Sequence, residues 1–328
     1  MNANPVSFQS VLDALTATGK DFPRRYLQQF SDIGTLELNT LLDVWPRVAP
    51  SRKLSLLEGL QTLADEDTLV NFDDFARALL TDPEPAVRTR AIRLLNECED
   101  ANLASTFLDI LKRDADIGVR VEAANALGLF VDLGELEEIS ESIYHKIEDV
   151  LLATASGEDD GRVRRTALES LGYSSRIEVA TLIESSFHRE DPAWQASALV
   201  AMGRSADDRW EEDVLRSLVS IDDNVRRAAV EAAGNLELKS ARTVLLKQLE
   251  EEENDEIVGA VIWSLSQIGG EDVRTYLENL LDQTEDDDQI EYIEDALDNL
   301  AFTEDLDRFD LFAFDPDADL TDLDDEEE

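Results

Sequence analysis

The sequence predicts an all-α solenoid, an α-α superhelix of about eight helix pairs, and three observations carry that prediction. A short signature recurs at near-constant intervals along the chain. The apolar residues between its copies are spaced by three or four, which is a helical period and not a strand-like one. Glycine (14) and proline (8) are too few for a loop-rich or all-β chain of 328 residues.

The clearest copy runs Asp222-Asp223-Asn224-Val225-Arg226-Arg227-Ala228-Ala229 and on to Gly234. An acidic turn leads in, a Val-Arg pair opens a helix, and small residues line one face. The pattern returns at Asp82-Pro83 with Val87-Arg88, at Val119-Arg120, at Val163-Arg164 and at Asp191-Pro192 with Trp194. Looser copies start at Ile257 and near Gln289. The anchors at 87, 119, 163, 194, 225, 257 and 289 are 31 or 32 residues apart in five of six intervals. The remaining interval is 44 and places an insertion around residues 132–149.

Each part of the repeat has a physical reason. The acidic residue, or Asp-Pro, offers an N-cap acceptor and a preset φ where the helix exposes its orphan N–H groups. Alanine four residues after the anchor lets neighbouring helices approach. Glycine after the last apolar residue is expected to stop the helix in the left-handed conformation. Arg88, Arg120, Arg164 and Arg226 share one register and are expected to form a ladder paired with turn aspartates. The other helix of each pair is an apolar-periodic run such as Leu103-Phe107-Leu108-Leu111 or Val244-Leu245-Leu249.

Repeats that bury their apolar faces only against neighbours need caps at the ends. Residues 1–63 are the expected N-terminal cap, including a diverged first repeat with Trp45 in its core. Arg24-Arg25 and Arg52-Lys53 read as its solvated helix faces. Residues 64–301 form the solenoid. Residues 302–328 hold 13 acidic side chains and one basic one, and are expected to be disordered. Phe309, Leu311, Phe312 and Phe314 interrupt the acid there. That pattern serves either as a solubilising tail or as a docking motif for a basic, apolar groove on a partner.

These motifs resemble HEAT repeats, in particular the bacterial phycobilin-lyase type, over about residues 36–300. The stretches Gly172–Arg176 and Ala201–Asp207 are similar to those of uncharacterised bacterial HEAT-repeat proteins. The resemblance implies an armadillo-like fold and a protein-binding scaffold. It implies no chemistry, because the matching residues are packing residues.

Seventy-five acidic against 29 basic residues give a net charge of -46. Such a surface repels phosphate backbones and anionic membranes and favours a partner with a basic surface. A salty cytoplasm is an alternative origin of the acidity. The first fifteen residues lack a basic segment followed by an apolar run, no stretch approaches a membrane span, and Cys98 is alone. The expectation is a cytoplasmic monomer.

Catalytic chemistry finds no foothold. The two histidines, His145 and His188, are followed by Lys146 and Arg189. The repeated His-Glu pairs with which HEAT-repeat deoxyhypusine hydroxylases hold iron are therefore missing. Neither a Gly-x-Ser-x-Gly elbow nor a glycine-rich phosphate loop occurs. No catalytic, cofactor-binding or metal-binding residue is nominated, and no cofactor is expected.

The candidate partner-binding residues are Tyr173 and Arg176, after Gly172, with Arg204, Arg209 and Trp210, after Gly203. The two glycines are one repeat apart, so their loops are expected side by side on one edge. Loops on a rigid scaffold concentrate binding residues, and Arg and Trp are frequent interface anchors. The opposing reading is inter-repeat packing for the aromatics and pairing with nearby acid for the arginines. The expected function is a non-catalytic protein–protein scaffold presenting a concave helical face. The alternatives are a lyase-like or other small-ligand-handling enzyme, and an acidic chaperone-like factor that shields a basic partner.

Overall fold

The computed structural model describes residues 7–17 and 21–312. It divides into two compact units, residues 1–182 and 183–328. Both are helical, with no strand among the described residues.

The first unit opens with α1 (Phe8–Thr16), a 3₁₀ segment (Arg24–Phe30), α2 (Thr35–Val44) and α3 (Pro50–Glu66). It continues through α4 (Asp73–Leu79), α5 (Pro85–Arg93), α6 (Ala101–Arg113), α7 (Ile117–Glu135), α8 (Glu141–Ser156) and α9 (Gly161–Leu171). The unit boundary falls within α10 (Ile177–Phe187). The anchors Val87, Val119 and Val163 lie on α5, α7 and α9, and these inner helices pack in series, α3 on α5, α5 on α7 and α7 on α9. The outer helices α4, α6 and α8 each pack on the inner helix that follows. The second unit repeats the plan with inner helices α11 (Pro192–Arg204), α13 (Asp223–Asn235), α15 (Asp255–Ile268) and α17 (Asp287–Phe312). Its outer helices are α12 (Glu211–Ser217), α14 (Arg242–Glu251) and α16 (Glu271–Gln283).

The expected caps form where the turn reaches the helix directly. Asp116, Asp160, Asp191 and Asp222 accept from backbone N–H groups of the first turn. Asp82 does not cap, because α5 begins at Pro85. Its carboxylate turns inward instead, to Glu84 N at 2.9 Å, Lys53 Nζ at 3.0 Å and Trp45 Nε1 at 2.7 Å. Lys53, 7% exposed, is thus a buried ion-pair partner and not the solvated side chain expected of it.

The arginine ladder is present and has a fixed geometry. Arg88 grips Asp114 with Nε at 2.8 Å and Nη2 at 2.7 Å, while Nη1 donates to the Asp82 carbonyl at 2.8 Å. Arg120 repeats this with Asp159 and the Asp114 carbonyl, and Arg226 with Glu252 and the Ser220 carbonyl. Each guanidinium holds its own turn through a carbonyl six residues back and the next repeat's turn through a carboxylate. The Arg120 and Arg226 guanidiniums hold the Asp159 and Glu252 carboxyls below their usual ranges. Lys53 stands three residues after Pro50 as Arg88 stands three after Pro85, so it carries the ladder into the cap. Gln195 keeps the backbone half of the contact, Nε2 to the Arg189 carbonyl at 2.8 Å. Arg164 donates to the Ala155 carbonyl at 3.2 Å.

The expected left-handed glycine stop forms at Gly269 (φ 71°), the C-cap of α15, but not at two other glycines of the signature. Gly203 and Gly234 lie inside helices with ordinary φ and do not stop them. A Cβ on Gly234 would stand 2.8 Å from Ser264 Cα, so glycine there permits the close approach of α13 and α15. Ser264 Oγ seals that contact on the Val230 carbonyl at 2.9 Å. The left-handed stop falls on Glu237 (φ 49°), with Leu238 N bonded back to the Ala233 carbonyl at 2.9 Å.

The insertion around 132–149 is helical apart from the turn at residues 136–140. Its residues lengthen α7 to 19 residues and α8 to 16, because helix extension adds one hydrogen bond per residue once a turn exists. The acidic segment 302–328 likewise begins as helix, α17 running on to Phe312. The first turns of that helix are anchored by the buried Ile293, Ala296 and Leu300, which supply the nucleus. Residues 313–328 lie outside the described residues, and among described residues no helix is long and apolar enough to cross a membrane.

Candidate functional site

Tyr173 and Arg176 occupy the turn between α9 and α10 in the first unit. Arg204 ends α11 in the second, and Arg209 and Trp210 follow that helix. Arg176 is held by acid on every side: Asp149 at 2.8 Å, Glu178 at 3.6 Å and Glu148 at 3.7 Å. Asp149 is the first cause of the raised Arg176 pKa. Tyr173 and Arg204 are half-buried. Arg209 bonds Asp207 of its own turn at 2.5 Å, and Trp210 is 5% exposed with Arg209 over its ring. Trp210 packs into the core of its unit. Of the proposed tail motif, Phe309, Leu311 and Phe312 lie on the last turns of α17 by backbone position, and Phe314 lies outside the described residues.

Arg176 belongs to a polar core built by the lengthened helices. The Glu148 side chain is fully buried and accepts from Ser174 Oγ at 2.6 Å while facing His145 Nδ1 at 2.9 Å. Tyr144 donates its hydroxyl to Glu135, which also accepts from Ser175 N at 2.6 Å. Burial first, then Glu135, pushes the Tyr144 phenol well above its ordinary range. Gly134 makes room for the ring: a Cβ there would stand 2.0 Å from Tyr144 Cδ2. Every charge in this core has an internal partner. It pins the α9–α10 turn onto α7 and α8.

The inner-helix face of the second unit is different. Between α13, α15 and α17 lies an open hollow of about 600 Å³, lined by Arg227, Glu231, Asp255, Glu256, Trp263 and Tyr292 among others. On α15 the residues Glu256, Ala260, Trp263 and Gln267 follow one another at spacings of four, three and four, one stripe of the helix. Trp263 is 40% exposed and Tyr292 38%, with ring centroids 6.5 Å apart at an interplanar angle of 39°. The Tyr292 hydroxyl donates to the Gly259 carbonyl at 2.9 Å, which fixes its ring against α15. Arg227 is spent on Glu231 at 2.6 Å. Asp255 and Glu256 stand exposed at the rim.

Sequence reasoning passed over Trp263 and Tyr292, although a signal for the first was there. Six residues after the anchor, the other regular repeats carry Arg93, Asn125, Glu169, Val200 and Glu231, none of them aromatic and four of them polar. A tryptophan at that register departs from the solvated pattern.

Among the described residues no trio of His, Cys, Asp and Glu side chains converges as a metal site. None of the curated proteins matches the chain in sequence. The family model for HEAT repeats matches residues 73–142 and 212–298. Among solved structures, the CpcE–CpcF complex of phycocyanin lyase from Nostoc sp. PCC7120 aligns over 92% of this chain and 97% of its own, at 16% identity and TM-score 0.51. YibA of E. coli aligns over 87% of this chain and 99% of its own, at 17% identity and TM-score 0.42. The first likeness is one of fold. With its recurring helix pairs, its ladder and the family match, the chain is an all-α solenoid that carries HEAT repeats over those two stretches.

Proposed function

We propose that this chain is a non-catalytic interaction scaffold for a protein partner with a basic surface, received on the inner-helix face. One observation carries the reading: that face exposes two aromatic rings among carboxylates, while the polar groups of the turns and of the lengthened helices are spent within the chain. The net charge of -46 supports a cationic partner and opposes nucleic acid. It also opposes lyase-like handling of an anionic small ligand, which needs unpaired cations in a groove.

Crosslinking of the full chain in its native cells, read by mass spectrometry, tests this. The expected result is a small set of positively charged proteins linked to residues of α13, α15 or α17. A chain that links to nothing, or only through its outer helices, overturns the reading.

A further inference from the structure

We infer that the hollow between α13, α15 and α17 seats a single guanidinium or ammonium side chain from a basic segment of the partner, against Trp263 and Tyr292 and ringed by Glu231, Asp255 and Glu256. The inference rests on the scaffold reading and gives it a place and a chemistry. An indole is the aromatic face that attracts a cation most strongly, and desolvation by flanking groups strengthens the attraction. Here the Trp263 and Tyr292 rings stand close and tilted, each more than a third exposed, so aromatic surface of each remains open to solvent.

The charge of the hollow selects the occupant. Three carboxylates line it against one arginine, Arg227, and that arginine is already paired with Glu231. The chain's own acidic segment, 302–328, is repelled by the same carboxylates that attract a cation. Asp255 and Glu256 have one local reason to be acidic, since they sit in the first turn of α15. That reason does not extend to Trp263, two turns further along. Nor does core packing account for it: Trp45, Trp194 and Trp210 are all buried, and Trp263 alone of the four tryptophans faces water. The Tyr292 hydroxyl bond to Gly259 holds the second ring in place before any ligand arrives, which lowers the ordering cost of binding.

The test uses the full chain at physiological ionic strength with a dye-labelled Gly/Ser peptide carrying three arginines, beside the same peptide with citrulline in their place. The arginine peptide is expected to bind, to shield tryptophan emission from acrylamide, and to lose affinity by at least about tenfold in Trp263→Ala. Asp255→Asn combined with Glu256→Gln leaves the aromatic face intact and is expected to weaken binding by a similar factor. Tyr292→Phe keeps the ring but frees it from Gly259 and is expected to weaken binding by about two- to tenfold, less than Trp263→Ala, the range for one lost hydrogen bond. Equal binding of the citrulline peptide, or undiminished binding by both Trp263→Ala and the double carboxamide variant, overturns the hollow as the seat. Partners that still crosslink to the inner helices after such a result leave the scaffold reading standing, whereas a chain without partners removes both.

Discussion

The first unit holds its polar residues in a closed core around Glu148, and the second displays an open hollow around Trp263. The first set lies on α7, the outer helix α8 and the α9–α10 turn, the second on the inner helices α13, α15 and α17, and both mix aromatic rings with acid. In the first, Glu148 and Glu135 meet Ser174, His145, Arg176, Tyr144 and the Ser175 N–H, and nothing is left over. In the second, two rings and two rim carboxylates have no comparable internal use. A polar cluster is therefore read by what remains unsatisfied after the chain's own needs are met, more than by its residue types.

The contrast has measurable consequences for stability. Glu148→Ala leaves a buried gap and strands the Ser174 hydroxyl, while Arg176 keeps Asp149 and His145 keeps Glu141, and is expected to cost about 2–4 kcal/mol in urea unfolding. A loss below about 1 kcal/mol would place the two regions in the same class.

Removing a ladder rung ranks next. Arg120→Ala is expected to cost about 2–3 kcal/mol, and Arg120→Lys to recover less than half of it, because the paired contact to Asp159 needs the planar fork. The same rung fixes a pH dependence. Arg120 holds the folded Asp159 carboxyl below the ordinary aspartate pKa of about 3.9, so the rung's contribution is full above that pH and is lost as pH falls through the folded value. The stability gap between parent and Arg120→Ala is expected to narrow as urea titrations are repeated below that pH. A constant gap would contradict the pairing.

Gly234→Ala pushes a methyl toward Ser264 and is expected to cost about 1–3 kcal/mol, read from the thermal midpoint. Smallest is Trp263→Ala, expected to cost no more than about 1 kcal/mol in stability while removing most peptide binding. A larger stability loss there would make Trp263 a packing residue and erase the difference between the regions.

The fold was legible because a solenoid writes its period into the chain: the anchors from Val87 to Ile257 all lie on inner helices. The ladder partners of Arg88 and Arg120 were legible in kind, since turn acid recurs wherever the Val-Arg pair does. The lengthened α7 and α8 were not, because added residues signal only a changed interval. Whether they extend a helix or make a loop depends on tertiary contacts such as Tyr144 with Glu135. Glycine at the end of a small-residue run was misleading for a related reason: close helix approach and a left-handed stop both demand the missing Cβ, and only the neighbour, Ser264 for Gly234, decides between them. Tyr173, Arg176 and Trp210 stood out by residue type, and residue type does not tell exposure. Trp263 was hidden in a helix whose other members were read as core.

The ladder also bears on how such an array can grow. Each link runs one way, a cation in one repeat to a carboxylate in the next, at separations of 26 residues for Arg88–Asp114 and Arg226–Glu252. Across the lengthened pair the same bond spans 39 residues, Arg120 to Asp159, with its shape unchanged. Extra sequence placed between a donor and its acceptor is thus tolerated as long as it folds back as helix. A whole repeat copied in tandem would arrive with its own donor and acceptor already facing the correct neighbours. The ladder makes the register of the chain independent of its length, so that new surface can be added without redesigning the old.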